Sequence, residues 1–132
     1  VPKYKTYAVD MIMKFSQLNI SLANSLKSFE PYGKGNEKMI FSSLKVSISD
    51  IKIIGKNSNV LKMKIKQNEI QREFICFSDI DSIIKKIEDK VKINADYNFF
   101  IDENYTFDII YTVGINVFNS TERLQLELIS IR

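Results

Sequence analysis

Few side chains in this 132-residue chain could carry out chemistry. The chain contains no histidine, so the commonest general base and the commonest zinc ligand are both missing. Its one cysteine, Cys76, lies in the apolar run Phe-Ile-Cys-Phe, which predicts a buried, inert thiol rather than a nucleophile. We therefore expect no catalysis, no metal site and no cofactor in this chain alone.

A glycine-rich turn at residues 31–36, read as Pro-Tyr-Gly-Lys-Gly-Asn, is the next candidate. A phosphate-binding P-loop needs four residues between its first glycine and its Gly-Lys pair, and it joins a strand to a helix. Here only Lys34 separates the glycines, and the predicted order is helix and then strand. We favour a structural turn whose backbone N–H groups, together with Lys34, can meet a passing backbone phosphate.

Near the middle of the chain, three lysines alternate with apolar residues: Lys62, Lys64 and Lys66. Because side chains alternate across a strand, these lysines should project from one face, roughly 7 Å apart, close to the phosphate repeat of an extended polynucleotide. Residues 33–66 carry eight lysines against two acids, whereas residues 79–108 carry eight acids against four lysines. This asymmetry favours a basic face for a polyanion, with a merely solvated lysine-rich surface as the alternative.

The composition is that of one soluble globular domain, with 45% hydrophobic residues, 27% charged residues and a net charge of +3. No run approaches the roughly 20 apolar residues of a membrane-spanning helix, and charged residues interrupt the N-terminal stretch where a secretion signal would lie. A single cysteine is typical of a reducing compartment, so we expect a cytoplasmic protein. The chain begins with Val1 rather than Met, which hints at a piece of a longer polypeptide.

The apolar spacing predicts an amphipathic helix at residues 15–29, before the glycine turn. Apolar residues recur there at steps of four, four and three: Leu18, Leu22, Leu26 and Phe29. Ser16 is the predicted N-cap, and Pro31 is the predicted stop. Alternation at residues 7–13 predicts a short extended segment ahead of the helix.

β-structure is predicted for most of the remainder. The predicted elements are strands at 44–54, 60–66, 69–77, 107–118 and 123–131, a short strand near 96–101, and a helix at 79–91. In the first of these strands Leu44, Val46 and Ile48 should face the core, and a change of phase near Asp50 predicts a β-bulge. Gly55 begins a predicted turn, and residues 119–122 should join the last two strands.

Five strands, a bulged first strand and a helix between the third and fourth strands predict an OB-fold, a Greek-key barrel of mainly β class. The helix should close one end of the barrel, and residues 1–36 should link the barrel at 37–132 to a missing upstream domain. An SH3-like barrel is the alternative, but it does not explain the mid-chain helix.

Several segments are similar to one known family. The turn at 31–36 resembles the P-[FY]-G-x-G-N signature of RecJ-type single-stranded-DNA-specific exonucleases and follows a leucine stripe, as it does in that family. Gly55 and then residues 61–65 resemble the family's glycine and H-L-K-L segment, and residues 74–77 resemble its short apolar strand ending in phenylalanine. Residues 115–126 resemble its I-N-x-[FY]-x-G…L-Q-L closing hairpin.

The resemblance runs from about Asp10 to the end and covers only the C-terminal part of such an enzyme, without the metal motifs of its DHH catalytic domain. The sequence also departs from the family's pattern. Val60 stands in place of a histidine, Glu37 and Met39 stand in place of prolines, and Ser120 stands in place of a hairpin glycine. These departures indicate a divergent member.

The resemblance implies a module that grips single-stranded DNA in repair or recombination for a 5′-3′ exonuclease core elsewhere in the polypeptide, which would hold Mn²⁺ or Mg²⁺. Expected partners are single-stranded DNA, the upstream nuclease domains and, as a further candidate, a single-strand-binding protein. The expected DNA-binding residues are Lys62, Lys64, Lys66, Lys34, Lys45, Tyr32, Asn116, Phe118, Arg123 and Gln125, with Lys38 and Tyr111 as additional candidates. Each aromatic residue has a place in the barrel core as its alternative.

Two other functions compete with DNA binding. The barrel could be an interdomain scaffold or a protein-interaction module that docks on the nuclease core or on a single-strand-binding protein. A ligand-binding barrel would need a hollow interior, and the abundance of Ile, Leu and Phe argues against it.

Overall fold

A computed structural model describes residues 9–26, 39–55, 59–91 and 104–132. The strands are β1 (Met11–Ile12), β2 (Phe41–Ile54), β3 (Val60–Gln67), β4 (Ile70–Cys76), β5 (Phe107–Phe118) and β6 (Thr121–Ile131). The helices are a 3₁₀ turn (Phe15–Gln17), α1 (Ile20–Leu26) and α2 (Ile80–Val91). No helix in the described part of the chain is long and apolar enough to cross a membrane.

The sheet has the strand order β1-β2-β3-β4-β6-β5, and β2 also pairs with β5. That additional pairing closes β2 to β6 into a five-stranded barrel, in which only the β4–β6 contact is parallel. The helix α2 joins the third barrel strand to the fourth, as an OB-fold requires. The predicted fold class is therefore confirmed.

Strand β2 bends around the barrel because two irregularities interrupt it. The first lies between Ile48 and Asp50 in the ladder with β3, where the change of phase predicted a bulge. The second lies between Ser43 and Val46 in the ladder with β5 and includes Lys45, whose φ is 53°. This second bulge turns Leu44 outward, so the prediction that Leu44 faces the core is wrong, and Ser43 takes the buried position instead.

The N-terminal helix is shorter than predicted. Residues 15–17 form a 3₁₀ turn, Leu18 is extended, and α1 begins only at Ile20. The side chain of Asn19 accepts a hydrogen bond from Leu22 N at 2.8 Å, so Asn19 caps this helix and the predicted cap at Ser16 is wrong. The helix stop at Pro31, the glycine turn, the domain boundary at residue 36 and the strand near 96–101 lie outside the described residues.

Residues 11–18 form part of the barrel wall. Met11 and Ile12 of β1 pair with the start of β2, at Phe41 and Ser42. They occupy the same edge of β2 that β3 occupies further along, from Ser47 onwards. Hydrogen bonds fasten the segment that follows: Phe15 N donates to Gln67 Oε1 at 2.7 Å, Ser43 Oγ donates to Met13 O at 2.7 Å, and Arg72 Nη2 donates to Leu18 O at 3.0 Å. As a result Phe15 and Leu18 are fully buried in the same core as the barrel strands.

Helix α2 packs on the barrel through one apolar stripe, as its spacing of three and four predicted. Ile83, Ile84 and Ile87 are buried, and Ile80 packs against them. Lys90 Nζ lies 4.7 Å from the ring centroid of Phe107, at the start of β5.

The closing hairpin is tighter than predicted. Only Asn119 and Ser120 form its turn, with φ of 49° and 62°, and pairing resumes at Thr121 opposite Phe118. Two residues in succession with positive φ are typical of a type I′ turn, whose twist matches that of the flanking strands.

Candidate nucleic-acid interface

The three lysines of β3 lie on one face of the strand, as predicted. Leu61, Met63 and Ile65 are fully buried, so the alternating lysine positions face outward. The row from Lys62 to Lys66 extends over roughly 13 Å of strand. A row of ammonium groups of this length can contact two or three consecutive phosphates of an extended strand.

The flanking strands place both signs of charge beside this row. Lys52 of β2 lies directly opposite Lys62, which adds a fourth ammonium group. Lys64 lies between two carboxylates, because its partners are Asp50 on β2 and Glu73 on β4. Glu73 also forms an ion pair with Lys62 at 3.4 Å, and the two side chains are 46% and 39% exposed.

These carboxylates make the face less positive than its lysines alone indicate. An exposed ion pair contributes only about 0–1 kcal/mol, so a phosphate can displace Glu73 from Lys62 at small cost. The sequence did not reveal the carboxylates or Lys52 because their proximity depends on cross-strand register. Asp50 and Lys52 are two residues apart in the predicted first strand, which was a signal that they share a face.

Four of the predicted residues lie together on the closing hairpin of β5 and β6. Asn116 pairs with Arg123, and Gln125 pairs with Gly114. Phe118 lies two residues beyond Asn116, on the same face of the hairpin. Asn116, Phe118 and Arg123 are exposed, and Gln125 is half-buried.

The hairpin residues and the lysine row share the outer surface of one continuous sheet. Ile75 of β4 pairs with Lys62 on one side and with Glu127 on the other, which fixes the relation of β3 to β6. Counting by twos from Glu127 along β6 brings Gln125 and then Arg123 to the same face, roughly 7 and 13 Å from Glu127. Strand β4 separates the two groups.

The other predicted residues lie elsewhere. Lys45 is exposed on the second bulge of β2, where its backbone N–H donates to Asp108 Oδ1 at 3.1 Å, beyond the Lys66 end of the row. Tyr111 is fully buried, so its candidacy for base stacking is wrong. Tyr32, Lys34 and Lys38 lie outside the described residues.

Cys76 is buried, as its apolar run predicted. Burial raises the pKa of the thiol, a backbone hydrogen bond with Ser78 lowers it, and the proximity of Glu127 and Asp79 raises it further. The thiolate is therefore disfavoured at neutral pH. Among the described residues, no three His, Cys, Asp or Glu side chains come together in a group that could hold a metal ion.

Comparison with protein families gives a match over most of the chain. The family described as RecJ OB domain matches residues 9–130. A crystal structure described as an aspartyl-tRNA synthetase from Leishmania major Friedlin is similar at 13% identity and a TM-score of 0.40. The match covers 73% of this chain but only 17% of that one, and a likeness this weak carries no argument about function.

No curated protein matches the chain significantly. The family match spans nearly the whole chain, and the described strands close into the barrel that the family's description names. The chain therefore belongs to the RecJ OB domain family.

Proposed function

We propose that this domain binds single-stranded DNA and holds it for the catalytic core of a RecJ-type 5′-3′ exonuclease. The observation that carries the proposal is the position of the lysine row. It lies on β3, the second strand of the barrel, beside β4, the third, and the outer face of these two strands is where OB-folds bind oligonucleotides.

In this proposal phosphates and bases are bound by different parts of the surface. Lys62, Lys64 and Lys66, with Lys52 beside them, neutralise successive phosphates and release counterions. Phe118 offers an aromatic face on which a base can stack whatever its identity. Lys34, Lys45 and Tyr32 remain predicted contacts.

The chemistry belongs to the parent protein. In this proposal the domain takes no part in the hydrolysis, and Mn²⁺ or Mg²⁺ would be bound by the core of the parent exonuclease. The domain's task is to position the strand, in cytoplasmic DNA repair or recombination, with the upstream nuclease domains and a single-strand-binding protein as further partners.

An interdomain scaffold is the second candidate function, and one observation favours it. Val9, Met11 and Ile12 near the start of the described chain are 40%, 49% and 62% exposed, although all three are apolar. Such residues can pack against another domain.

Fluorescence anisotropy with labelled oligonucleotides tests the proposal. We expect the domain to bind single strands more tightly than duplexes, and we expect Lys62→Glu, Lys64→Glu and Lys66→Glu together to abolish binding. A matched control replaces Lys14, Lys85 and Lys86, which are exposed elsewhere, with glutamate. Each exchange lowers the net charge by two, so both triple variants carry −3 in place of +3.

If the control variant loses as much binding as the β3 variant, the effect is one of net charge and the lysine row is not the site. If neither variant nor the native domain binds single strands, the scaffold function is favoured. Circular dichroism of both variants would verify that the barrel remains folded.

A further inference from the structure

The end of the β5–β6 hairpin projects beyond the barrel as a two-stranded ribbon, residues 116–123. The last pairs that contribute to the core are Val113 with Leu126, both buried, and Ile115 with Leu124, both half-buried. Every residue from 116 to 123 is exposed. Packing in the core therefore does not explain which side chains the ribbon carries.

One face of this ribbon combines an aromatic ring with hydrogen-bonding groups. Phe118 is 64% exposed, an unusual position for a phenylalanine in a domain with an extensive core. Asn116 and Arg123 are cross-strand partners on the same face, and Arg123 is the diagonal neighbour of Phe118 across the ribbon. Diagonal neighbours lie roughly 7–8 Å apart, within the reach of an arginine side chain.

The polar groups on this face are available to a ligand. Within the described part of the chain, the side chains of Asn116 and Arg123 make no hydrogen bond and no ion pair. Gln125 lies opposite Gly114, which has no side chain, so the surface beside Arg123 is open on the side of the barrel. An aromatic face, a guanidinium and a carboxamide thus lie within roughly 7–8 Å of each other.

We propose that the outer face of ribbon 116–123 is a binding subsite for one unstacked purine base, with guanine preferred to adenine. The ring of Phe118 stacks on the base, and Arg123 and Asn116 hydrogen bond to its edge. The subsite rests on the proposed single-strand binding, and it adds a base preference that neither the lysine row nor stacking alone would produce.

The preference follows from the donors and acceptors on each base. Guanine presents two acceptors, N7 and O6, which match the two parallel donors of an arginine side chain. Adenine has an amino group in place of the second acceptor. Arginine has only donors and cannot accept a hydrogen bond from this amino group, whereas the carboxamide oxygen of Asn116 can. Pyrimidines lack N7 and offer a smaller surface for stacking.

The distance from the lysine row sets how many nucleotides a strand would need. Phe118 pairs with Thr121, six residues from Glu127, which places the subsite roughly 20 Å along the strands from the level of Lys62. Lys66 lies at the level of Arg123, so the subsite is only roughly 7 Å along the strands from that end of the row. Lateral displacement across β4 and β6 adds to this distance. A strand that contacts the whole row, from Lys62 to Lys66, as well as Phe118 therefore spans at least about four nucleotides, within the range of single OB-folds.

The test uses thymidine oligonucleotides of about twelve nucleotides with one central position changed to guanine, adenine, cytosine or 7-deazaguanine. We expect guanine to bind about fivefold more tightly than thymine, at the lower end of the range for a bidentate contact because the subsite is exposed. The 7-deaza analogue lacks N7 and should lose most of this advantage.

Three variants locate the effect. Arg123→Lys keeps the charge but loses the planar fork, so it should abolish the guanine preference, measured as the ratio of guanine to thymine affinities within the same variant. Phe118→Leu should weaken binding of all the oligonucleotides about fivefold or more, because base stacking is lost. Val117→Ala is the control, because Val117 is 62% exposed on the opposite face of the ribbon and should have no effect on either quantity.

The outcomes separate the two proposals. Tight binding of thymidine oligonucleotides with no preference for guanine, or a preference that survives Arg123→Lys, overturns the purine subsite and leaves single-strand binding intact. Failure to bind any oligonucleotide overturns both.

Discussion

Tyr111 illustrates how the barrel uses an aromatic residue that carries a polar group. Its ring lies edge-on to Phe74, with 5.1 Å between ring centroids, and its hydroxyl lies 2.8 Å from Ser43 Oγ. Ser43 Oγ in turn donates to Met13 O, so the hydroxyl of Tyr111 belongs to a buried chain of hydrogen bonds that reaches the N-terminal segment. Satisfying a buried tyrosine hydroxyl in this way allows the ring to fill the core.

Because the hydroxyl of Tyr111 is buried, the free energy of unfolding of the domain should depend on pH in the alkaline range. Burial raises the pKa of Tyr111 to about 12, although its hydrogen bond with Ser43 opposes the shift. In the unfolded chain this hydroxyl loses its proton near pH 10, so between about pH 10 and 12 the unfolded state binds fewer protons than the folded state. The free energy of unfolding therefore falls as pH rises, by about 1.4 kcal/mol per pH unit from this group.

The variant Tyr111→Phe should lack this contribution. At neutral pH we expect a loss of about 1 kcal/mol from the missing hydrogen bond, since Ser43 keeps its bond to Met13. Above pH 10, urea unfolding should show the variant losing stability less steeply than the native domain. Equal slopes for the two proteins would contradict a raised pKa at this position.

Glu73 is expected to limit the affinity for polyanions. It pairs with Lys62 and lies opposite Lys64, so the variant Glu73→Gln frees one lysine and removes a charge that repels phosphate. We expect single-strand binding to tighten about two- to fivefold at low salt, with stability changed by less than about 1 kcal/mol. The control is Asp89→Asn, exposed on α2 and outside the lysine row. Anisotropy titrations of both variants check this, and equal gains would show that only the net charge matters.

At the level of elements, local pattern predicted most of the barrel. Strict alternation in β3 located its buried and exposed faces correctly, because a strand with one face in the core has no other register available. The same reasoning failed at Leu44, since the positive φ of Lys45 inserts a bulge that the apolar pattern does not reveal. Ser16 failed as a cap because residues 15–18 follow the barrel wall rather than begin a helix.

The candidate site was predicted only in part, for a related reason. Spacing along one strand places Lys62, Lys64 and Lys66 on the same face without knowledge of the fold. Which charges lie beside them depends on pairing with β2 and β4, so Lys52, Asp50 and Glu73 became neighbours only in the folded barrel.

The turn of the closing hairpin should be open to improvement. Ser120 has φ of 62°, a conformation that glycine adopts at little cost and that other residues adopt with strain. We therefore expect Ser120→Gly to raise the free energy of unfolding by about 0.5–1 kcal/mol in urea titration. The neighbouring change Thr121→Gly is the control and should destabilise the domain, because Thr121 pairs within the strand. Destabilisation by Ser120→Gly would contradict the type I′ assignment.

The β3–β4 hairpin should anchor the N-terminal segment through Arg72. Its Nη2 donates to the carbonyl oxygens of Phe15 and Leu18, at 3.4 and 3.0 Å. In the variant Arg72→Met, Phe15 O keeps its hydrogen bond from Leu18 N, whereas Leu18 O loses the donor that Arg72 supplies. This loss should cost about 1–3 kcal/mol and accelerate amide exchange in residues 13–26. Gln71→Met, one residue away on the outer face, is the control. Uniform acceleration throughout the barrel would indicate global destabilisation instead.

At the scale of the whole molecule, the inner surface of the barrel provides stability and its outer surface provides the proposed DNA contacts. The inner residues of β2 to β6, together with Phe15 and Leu18, form one closed core. Closure leaves the outer face of β3 and β4 with little part in stability, so its side chains can vary in charge without affecting the fold.

Because the outer lysines contribute little to stability, they can be replaced one at a time. The salt dependence of DNA binding then gives the number of phosphates that they contact. For single strands, the slope of log K against log salt is about −0.7 for each phosphate neutralised. If Lys52, Lys62, Lys64 and Lys66 each contact one phosphate, the native domain should give a slope of about −3 between roughly 50 and 200 mM salt. Each single change to glutamine should then reduce the magnitude of the slope by about 0.7, with stability nearly unchanged because none of the four lies in the core.

Lys85→Gln on α2 is the control and should leave the slope as it was. A slope near zero in the native domain, or equal reductions for Lys85 and the β3 lysines, would mean that the strand does not follow this row.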